Sequence, residues 1–168
     1  MGGVDESMKY ILREYKASDE RQVNELALSA FAQYACEYED WEGFSRKISQ
    51  MSKLAESAEL IVAEMDSQIV GAIVYVGPNK PKAEFFKPEW AIIRMLVVVP
   101  ESRGKGIGQA LTDICLKRAE RDQSEILALH TSKIMRVALS MYLKMGFVFC
   151  SEAPDIHGVK YDVYTKEI

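Results

Sequence analysis

Residues 97–108 read V-V-V-P-E-S-R-G-K-G-I-G. Val97, Val98 and Val99 are β-branched and favour a strand, which Pro100 ends. Gly104, Gly106 and Gly108 then alternate with Lys105 and Ile107. From there Ile107, Leu111, Ile114 and Cys115 recur at helical spacing. The stretch is a buried strand, a glycine turn and a helix start. The first N–H groups of a helix lack intrahelical partners and sit at the positive end of the macrodipole, so an anion is favoured there. Glycine lets the backbone approach phosphate oxygens closely, and Arg103 and Lys105 add positive charge at the same place. The alternative is a tight connection whose glycines only solve a turn. Two familiar nucleotide loops are excluded. A Walker A loop needs Ser or Thr after Gly-Lys, where Gly106 stands. A dinucleotide fingerprint needs G-x-G-x-x-G, and the spacing here is G-x-G-x-G.

Working outward, Trp90–Val99 is a nearly continuous apolar run, which predicts a central strand covered on both faces. Upstream, Glu59–Met65 and Gln68–Val76 are apolar runs separated by Asp66-Ser67, a hairpin pattern. The intervening Gly77–Pro88 holds three of the five prolines and reads as a loop. Before these, Lys9–Tyr15 alternates as a short strand, and Ser18 or Asp19 caps a helix with Val23, Leu26, Ala27, Ala30 and Phe31 on one face. A second helix is predicted over Trp41–Ser57, with Phe44, Ile48, Met51 and Leu54 in register. Downstream come a strand over Ser124–Thr131, a helix over Lys133–Met145 ended by Gly146, and strands over Phe147–Glu152 and Val159–Tyr164. The order β-α-α-β-β-β-α-β-α-β-β describes a mixed α/β single domain over residues 8–168. Residues 1–7 read as an N-terminal extension.

The 168 residues carry 21 basic and 25 acidic side chains, a net charge of −4. No basic excess is present to displace counterions, which argues against a nucleic-acid partner. No apolar run reaches the roughly 20 residues of a membrane span. The N-terminus lacks the apolar core of a signal peptide. Cys36, Cys115 and Cys150 are odd in number and far apart, which fits a reducing, cytoplasmic compartment and three small buried side chains. With only two histidines and no C-x-x-C, no metal site is expected.

Once Walker A and dinucleotide loops are set aside, the loop is R-x-x-G-x-G, met by Arg103, Gly106 and Gly108. In this it resembles the GCN5-related N-acetyltransferase (GNAT) family. Ala138-Leu139-Ser140-Met141-Tyr142-Leu143-Lys144-Met145-Gly146-Phe147 independently resembles that family's A-x-x-x-Y-x-x-x-G-F segment. The element order also agrees over nearly the whole chain. The resemblance implies a mostly antiparallel sheet of about seven strands, flanked by about four helices, with two central strands splayed apart. It implies acetyl-CoA as cosubstrate. Leu96, Val97 and Val98 would offer main-chain groups to the pantetheine arm. Arg103, Gly104, Lys105, Gly106, Ile107, Gly108 and Gln109 would surround the pyrophosphate.

The implied reaction is direct attack of a neutral amine on the thioester. The Val98 N–H would serve the oxyanion, and Tyr142 would protonate the departing thiolate. A phenol with an ordinary pKa near 10 is protonated at neutral pH and can donate. By helix spacing alone Tyr142 is equally a core aromatic. His130, at the end of the second splayed strand, is the candidate base, and a satisfied structural histidine is the alternative. Glu84 and Glu89 compete for that role. The E-V-R-x-x-N segment that relatives acetylating peptide N-termini often carry is replaced here by His130-Thr131-Ser132-Lys133-Ile134-Met135, which argues against a ribosomal-protein substrate and leaves other peptides open. The first reading is a small-molecule amine as acceptor. A protein or peptide acceptor, or a non-catalytic acyl-CoA sensor, are the other readings. Tyr34–Phe44, Y-A-C-E-Y-E-D-W-E-G-F, is either an acceptor wall or a solvated helix–helix loop. Homodimers are common in the family, and no feature of the sequence requires one.

Overall fold

The computed structural model describes residues 9–168. The expected extension over residues 1–7 lies outside them. Strands β1 (Ile11–Glu14), β2 (Glu59–Met65), β3 (Gln68–Val76), β4 (Ala91–Val98), β5 (Ile126–Thr131), β6 (Val148–Ile156) and β7 (Val159–Glu167) form one sheet in the order β1-β2-β3-β4-β5-β7-β6. Every neighbouring pair is antiparallel except β4–β5. Helices α1 (Glu20–Ala32) and α2 (Trp41–Ile48) cover one face, and α3 (Ile107–Arg121) and α4 (Arg136–Lys144) cover the other.

The period of two in the central strands divides the core. Ala72, Val74, Ile92, Val97 and Ala128 pack with Val23, Leu26 and Ala27 of α1. Ile73, Tyr75, Ile93, Leu127 and Leu129 pack with Ile107, Leu111 and Cys115 of α3. Both faces of β3 beyond Gln68 and of β4 over Ala91–Ile93 are dry, hence their apolar runs, while Arg94 farther along β4 is exposed. Gly71 sets the distance of α3 from the sheet. A Cβ there would stand 2.9 Å from Ile107 Cγ2 and 3.2 Å from Leu111 Cδ1, so only glycine lets the helix seat this closely.

Four expectations need correction. The second helix ends at Ile48, and Met51–Glu56 is a separate 3-10 stretch. Asn24 of α1 breaks it by accepting the Ser52 N–H at 2.9 Å and donating to Ser52 Oγ at 2.9 Å. The apolar stripe is thereby split, with Phe44 and Ile48 in one cluster and Met51 in another. The fourth helix begins at Arg136 because Ser132 forms a turn, accepting Met135 N–H at its carbonyl and Ile134 N–H at its hydroxyl. β6 continues through Pro154 to Ile156. A bulge between Ala153 and Ile156 on this edge strand accommodates the proline, and His157-Gly158, both at positive φ, close the hairpin. Finally, Cys115 is buried, whereas Cys36 and Cys150 are exposed.

Candidate active site at the splay of β4 and β5

β4 and β5 pair only at Ala91–Leu127 and Ile92–Ala128. Beyond these, β4 runs to Val98 and β5 to Thr131 without further pairing. The cause lies in β4. Val74 faces Arg94, but the next residue of β3, Ile73, faces Leu96. Met95 is therefore the extra residue of a β-bulge, with φ of +58°, and such bulges bend the strand that carries them. At the far end of β4, Val99 N–H donates to Val70 O at 2.8 Å. By the alternation of an antiparallel ladder, Val97 also turns its backbone to β3, while Leu96 and Val98 turn theirs toward the splay.

The glycine turn stands over the end of β4. Gly104 (φ +82°) and Gly106 (φ +77°) are both left-handed. A Cβ at either would meet no protein atom within 4 Å. Gly106 is the N-cap of α3 and offers no side chain to cap it. The first intrahelical bond is Ala110 N–H to Gly106 O at 3.0 Å. The N–H groups of Ile107, Gly108 and Gln109 thus have no intrahelical acceptor. Ile107 is buried, Lys105 half-buried and Gln109 exposed. A Cβ on Gly108 would lie 3.4 Å from Met141 Sδ and 3.7 Å from Leu96 Cδ2, so the first turn of α3 sits against both β4 and α4. Arg103 leans toward α1, with Nη2 at 3.5 Å from Ala30 O. Left-handed glycines facing open space, unpaired N–H groups and two cations together fit a diphosphate.

Tyr142 belongs to the α3/α4 side, buried with Ile107, Leu111 and Cys115. Its backbone explains why tyrosine, glycine and phenylalanine occur at that spacing. Gly146 at φ +96° ends α4, with Gly146 N–H bonded to Leu143 O and Phe147 N–H to Tyr142 O. This is a Schellman cap, and its hydrophobic contact is the Tyr142–Phe147 ring pair, 5.5 Å between centroids. Burial raises the Tyr142 pKa above the usual phenol range, so the hydroxyl is protonated at neutral pH.

His130 lies on the opposite face. Its register partner Val163 belongs to the α1-side core. Its ring contacts Phe85, Phe86 and Tyr161 at 5.2, 5.8 and 5.2 Å. Burial, helped by the positive charge of Arg94, lowers its pKa to about 4. The imidazole is therefore neutral at pH 7, and Nδ1 is buried without a hydrogen-bond partner. The structure does not bring His130 and Tyr142 to one face. Glu84 and Glu89 are exposed on the 77–90 loop. Lys82 clasps this loop by donating to the carbonyls of Gly77, Lys80 and Pro88.

Of the four acids of residues 34–44, Glu42 pairs with Arg46 along α2, and Glu39 and Asp40 are engaged at the β6–β7 turn and the start of α2. Asp40 accepts Gly43 N–H at 2.9 Å, which caps α2, and lies 3.4 Å from His157. Glu39 donates its N–H to His157 O and packs its carboxylate against Gly158. Tyr38 bonds Tyr161 hydroxyl to hydroxyl at 2.5 Å. This segment is thus pinned to the β6–β7 turn. Arg94 is the charged residue that the sequence reading missed. Its only signal was a lone cation inside an apolar run. Among the described residues, no group of three or more His, Cys, Asp or Glu side chains is placed to hold a metal ion, and no helix is long and apolar enough to cross a membrane.

The family model described as Acetyltransferase (GNAT) domain matches residues 18–168. No curated protein matches the sequence. Among solved structures, the chain is similar to the PaiA N-acetyltransferase of Thermoplasma acidophilum in complex with coenzyme A, with a TM-score of 0.74 and 22% identity over 95% of this chain and 99% of that one. It is also similar to Ard1 of Thermoplasma volcanium, with a TM-score of 0.72 and 19% identity over 95% and 97%. A third is a GNAT acetyltransferase of Elizabethkingia anophelis with acetyl-CoA bound, with a TM-score of 0.68 and 18% identity over 95% and 98%. These likenesses carry the fold, and the family match covers most of the sequence, so the chain belongs to the GNAT acetyltransferase family and is an acyltransferase that uses acetyl-CoA.

Proposed function

We propose that the chain transfers an acetyl group to the primary amine of a small molecule, with residues 8–168 acting as one catalytic domain. The observation that carries this reading is the uncapped start of α3 beside the splay, where Gly104 and Gly106 face open space. Acetyl-CoA supplies the activated acetyl thioester. The backbone from Gly104 to Gln109 holds the pyrophosphate, with Lys105 and Arg103 adding charge. Leu96 and Val98 present main-chain groups to the pantetheine arm, and the Val98 N–H is the donor for the thioester carbonyl oxygen. The Val97 backbone is turned to β3, and its contribution is to that ladder. Tyr142, kept protonated by burial, delivers a proton to the departing sulfur. The amine approaches from the α1/α2 face, where the neutral His130 stands at the end of β5. A small-molecule acceptor is favoured because residues 34–44 are closed down onto the β6–β7 turn.

The test is coenzyme A thiol release from acetyl-CoA against amino acids, polyamines, aminoglycosides and short peptides, each paired with a thermal shift for acetyl-CoA alone. Amine-dependent release with a small molecule is expected. Release only with peptides would move the acceptor to proteins. A thermal shift without release from any amine would identify an acyl-CoA sensor.

A further inference from the structure

The last paired residues of the splay that face α1 are Ile92 and Ala128. Two residues further along each strand, on the same face, come Arg94 and His130. Arg94 shares its face with its register partner Val74, and His130 with Val163. The first pair beyond the sheet's closed part is therefore a cation beside an imidazole, at the mouth through which the acceptor enters. Phe85, Phe86 and Tyr161 wall it. Arg94 is exposed and makes no hydrogen bond or ion pair with another described residue. The imidazole Nδ1 next to it is buried and unpartnered. In the 34–44 segment, Glu39 and Asp40 are turned to the β6–β7 turn and the cap of α2, and Glu42 pairs with Arg46.

We infer that Arg94 is a specificity residue that binds a carboxylate on the acceptor, so that the substrate class is amino acids or related amines carrying an anionic group and an apolar body. This rests on the acetyl-transfer reading above. A guanidinium presents paired N–H donors that match a carboxylate, and the aromatic walls accept the apolar remainder. A polyamine would bring its second positive charge against Arg94, which is paired with no acid among the described residues. The bound carboxylate has a further effect. Arg94 from β4 and Tyr161 from β7 are the titratable or charged groups that face His130, and the 77–90 loop presents Phe85 and Phe86 to it. Neutralising Arg94 removes the charge that opposes protonation of His130, so the acceptor raises the basicity of the imidazole it approaches.

The experiment compares L-phenylalanine with L-phenylalaninamide, which differ in the carboxylate, and adds spermidine as a dication. The wild-type enzyme should prefer the acid by about tenfold in kcat/KM. That preference should collapse toward one in Arg94→Gln and be partly retained in Arg94→Lys, with the acetyl-CoA affinity of both variants unchanged. Equal or greater use of the amide or spermidine by the wild type, insensitive to Arg94→Gln, would overturn the inference and leave acetyl transfer intact. Absence of acetyl-CoA binding by the wild type would instead overturn the underlying reading. A second measurement does not need turnover. With only two histidines in the chain, the His130 imidazole NMR signal should move and titrate at higher pH with N-acetyl-L-phenylalanine. It should stay in place with the corresponding amide, and equal responses to both would contradict the assignment.

Discussion

The two faces of the splay are built from differently distributed residues. On the α3/α4 face, the machinery comes from two continuous segments, 103–109 and 138–147. On the α1/α2 face, it is assembled from β4, β5, β7 and the 77–90 loop, as Arg94, His130, Tyr161 and Phe85–Phe86. In the proposed reading, the first face holds an invariant chemical handle, a diphosphate and a thioester. Backbone N–H groups at a helix start and a phenol are enough for it, and short local motifs supply both. In the same reading the second face meets the amine, through side chains brought together only by tertiary structure. The difference teaches that the proposed cosubstrate site is written locally in the chain and the proposed acceptor site non-locally.

Four results would break or sharpen that contrast. The largest effect is expected at Gly106. Its φ of +77° is a conformation that a β-branched residue resists, and a Cβ would project into the open space at the helix start. Gly106→Val should weaken acetyl-CoA binding by about a thousandfold, or about 4 kcal/mol, as measured by calorimetric titration. An unchanged affinity would mean that the turn does not hold the diphosphate. Next comes the pH dependence of folding. His130 has a pKa near 6.5 when unfolded and about 4 when folded, so the unfolded chain binds the extra proton between those values. Its contribution to stability is full above pH 6.5 and falls by up to about 3 kcal/mol as the pH drops to 4. Urea unfolding across this range should show the decline, and His130→Asn should flatten it. An identical slope in both proteins would remove the buried, neutral histidine from the account.

The third effect is catalytic. Tyr142→Phe keeps the ring against Phe147 and removes only the hydroxyl, so kcat should fall by about 100-fold with little change in KM for acetyl-CoA. Unchanged turnover would show that water or another group protonates the sulfur. The smallest effect concerns the clamp on the acceptor face. Tyr38→Phe leaves the buried Tyr161 hydroxyl without its 2.5 Å partner and should cost about 1 kcal/mol in stability. A loss of acceptor affinity in the same variant would place the 34–44 segment at the site as well as in the fold.

What could be read from the sequence follows the same division. The strand–glycine–helix unit was legible because Val97–Val99, Gly104, Gly106 and the α3 stripe are contiguous, so that strand, turn and helix start follow one another within one short stretch. The Tyr142–Gly146–Phe147 spacing was legible for a reason that the structure supplies. It is a helix cap, with Tyr142 and Phe147 as its hydrophobic contact. The split of the predicted second helix was not legible, because the residue responsible, Asn24, lies 28 positions before its partner Ser52. The role proposed for Arg94 was not legible for a similar reason. Its face is fixed by its pairing with Val74, and the bulge at Met95 breaks the alternation that would otherwise have been read along β4. The acids of 34–44 looked like an acceptor wall because composition shows charge without showing its partners. Glu39 and Asp40 turned out to be held by Gly43, His157 and Gly158, and Glu42 by Arg46.

The most direct test of the division between faces is a map of backbone amide NMR shifts as acetyl-CoA is titrated into the protein. The account predicts that the largest perturbations fall on residues 104–109, with Leu96 and Val98 following, and that residues 34–44 move little. Saturable binding that leaves 104–109 in place and moves the α1/α2 face instead would contradict it.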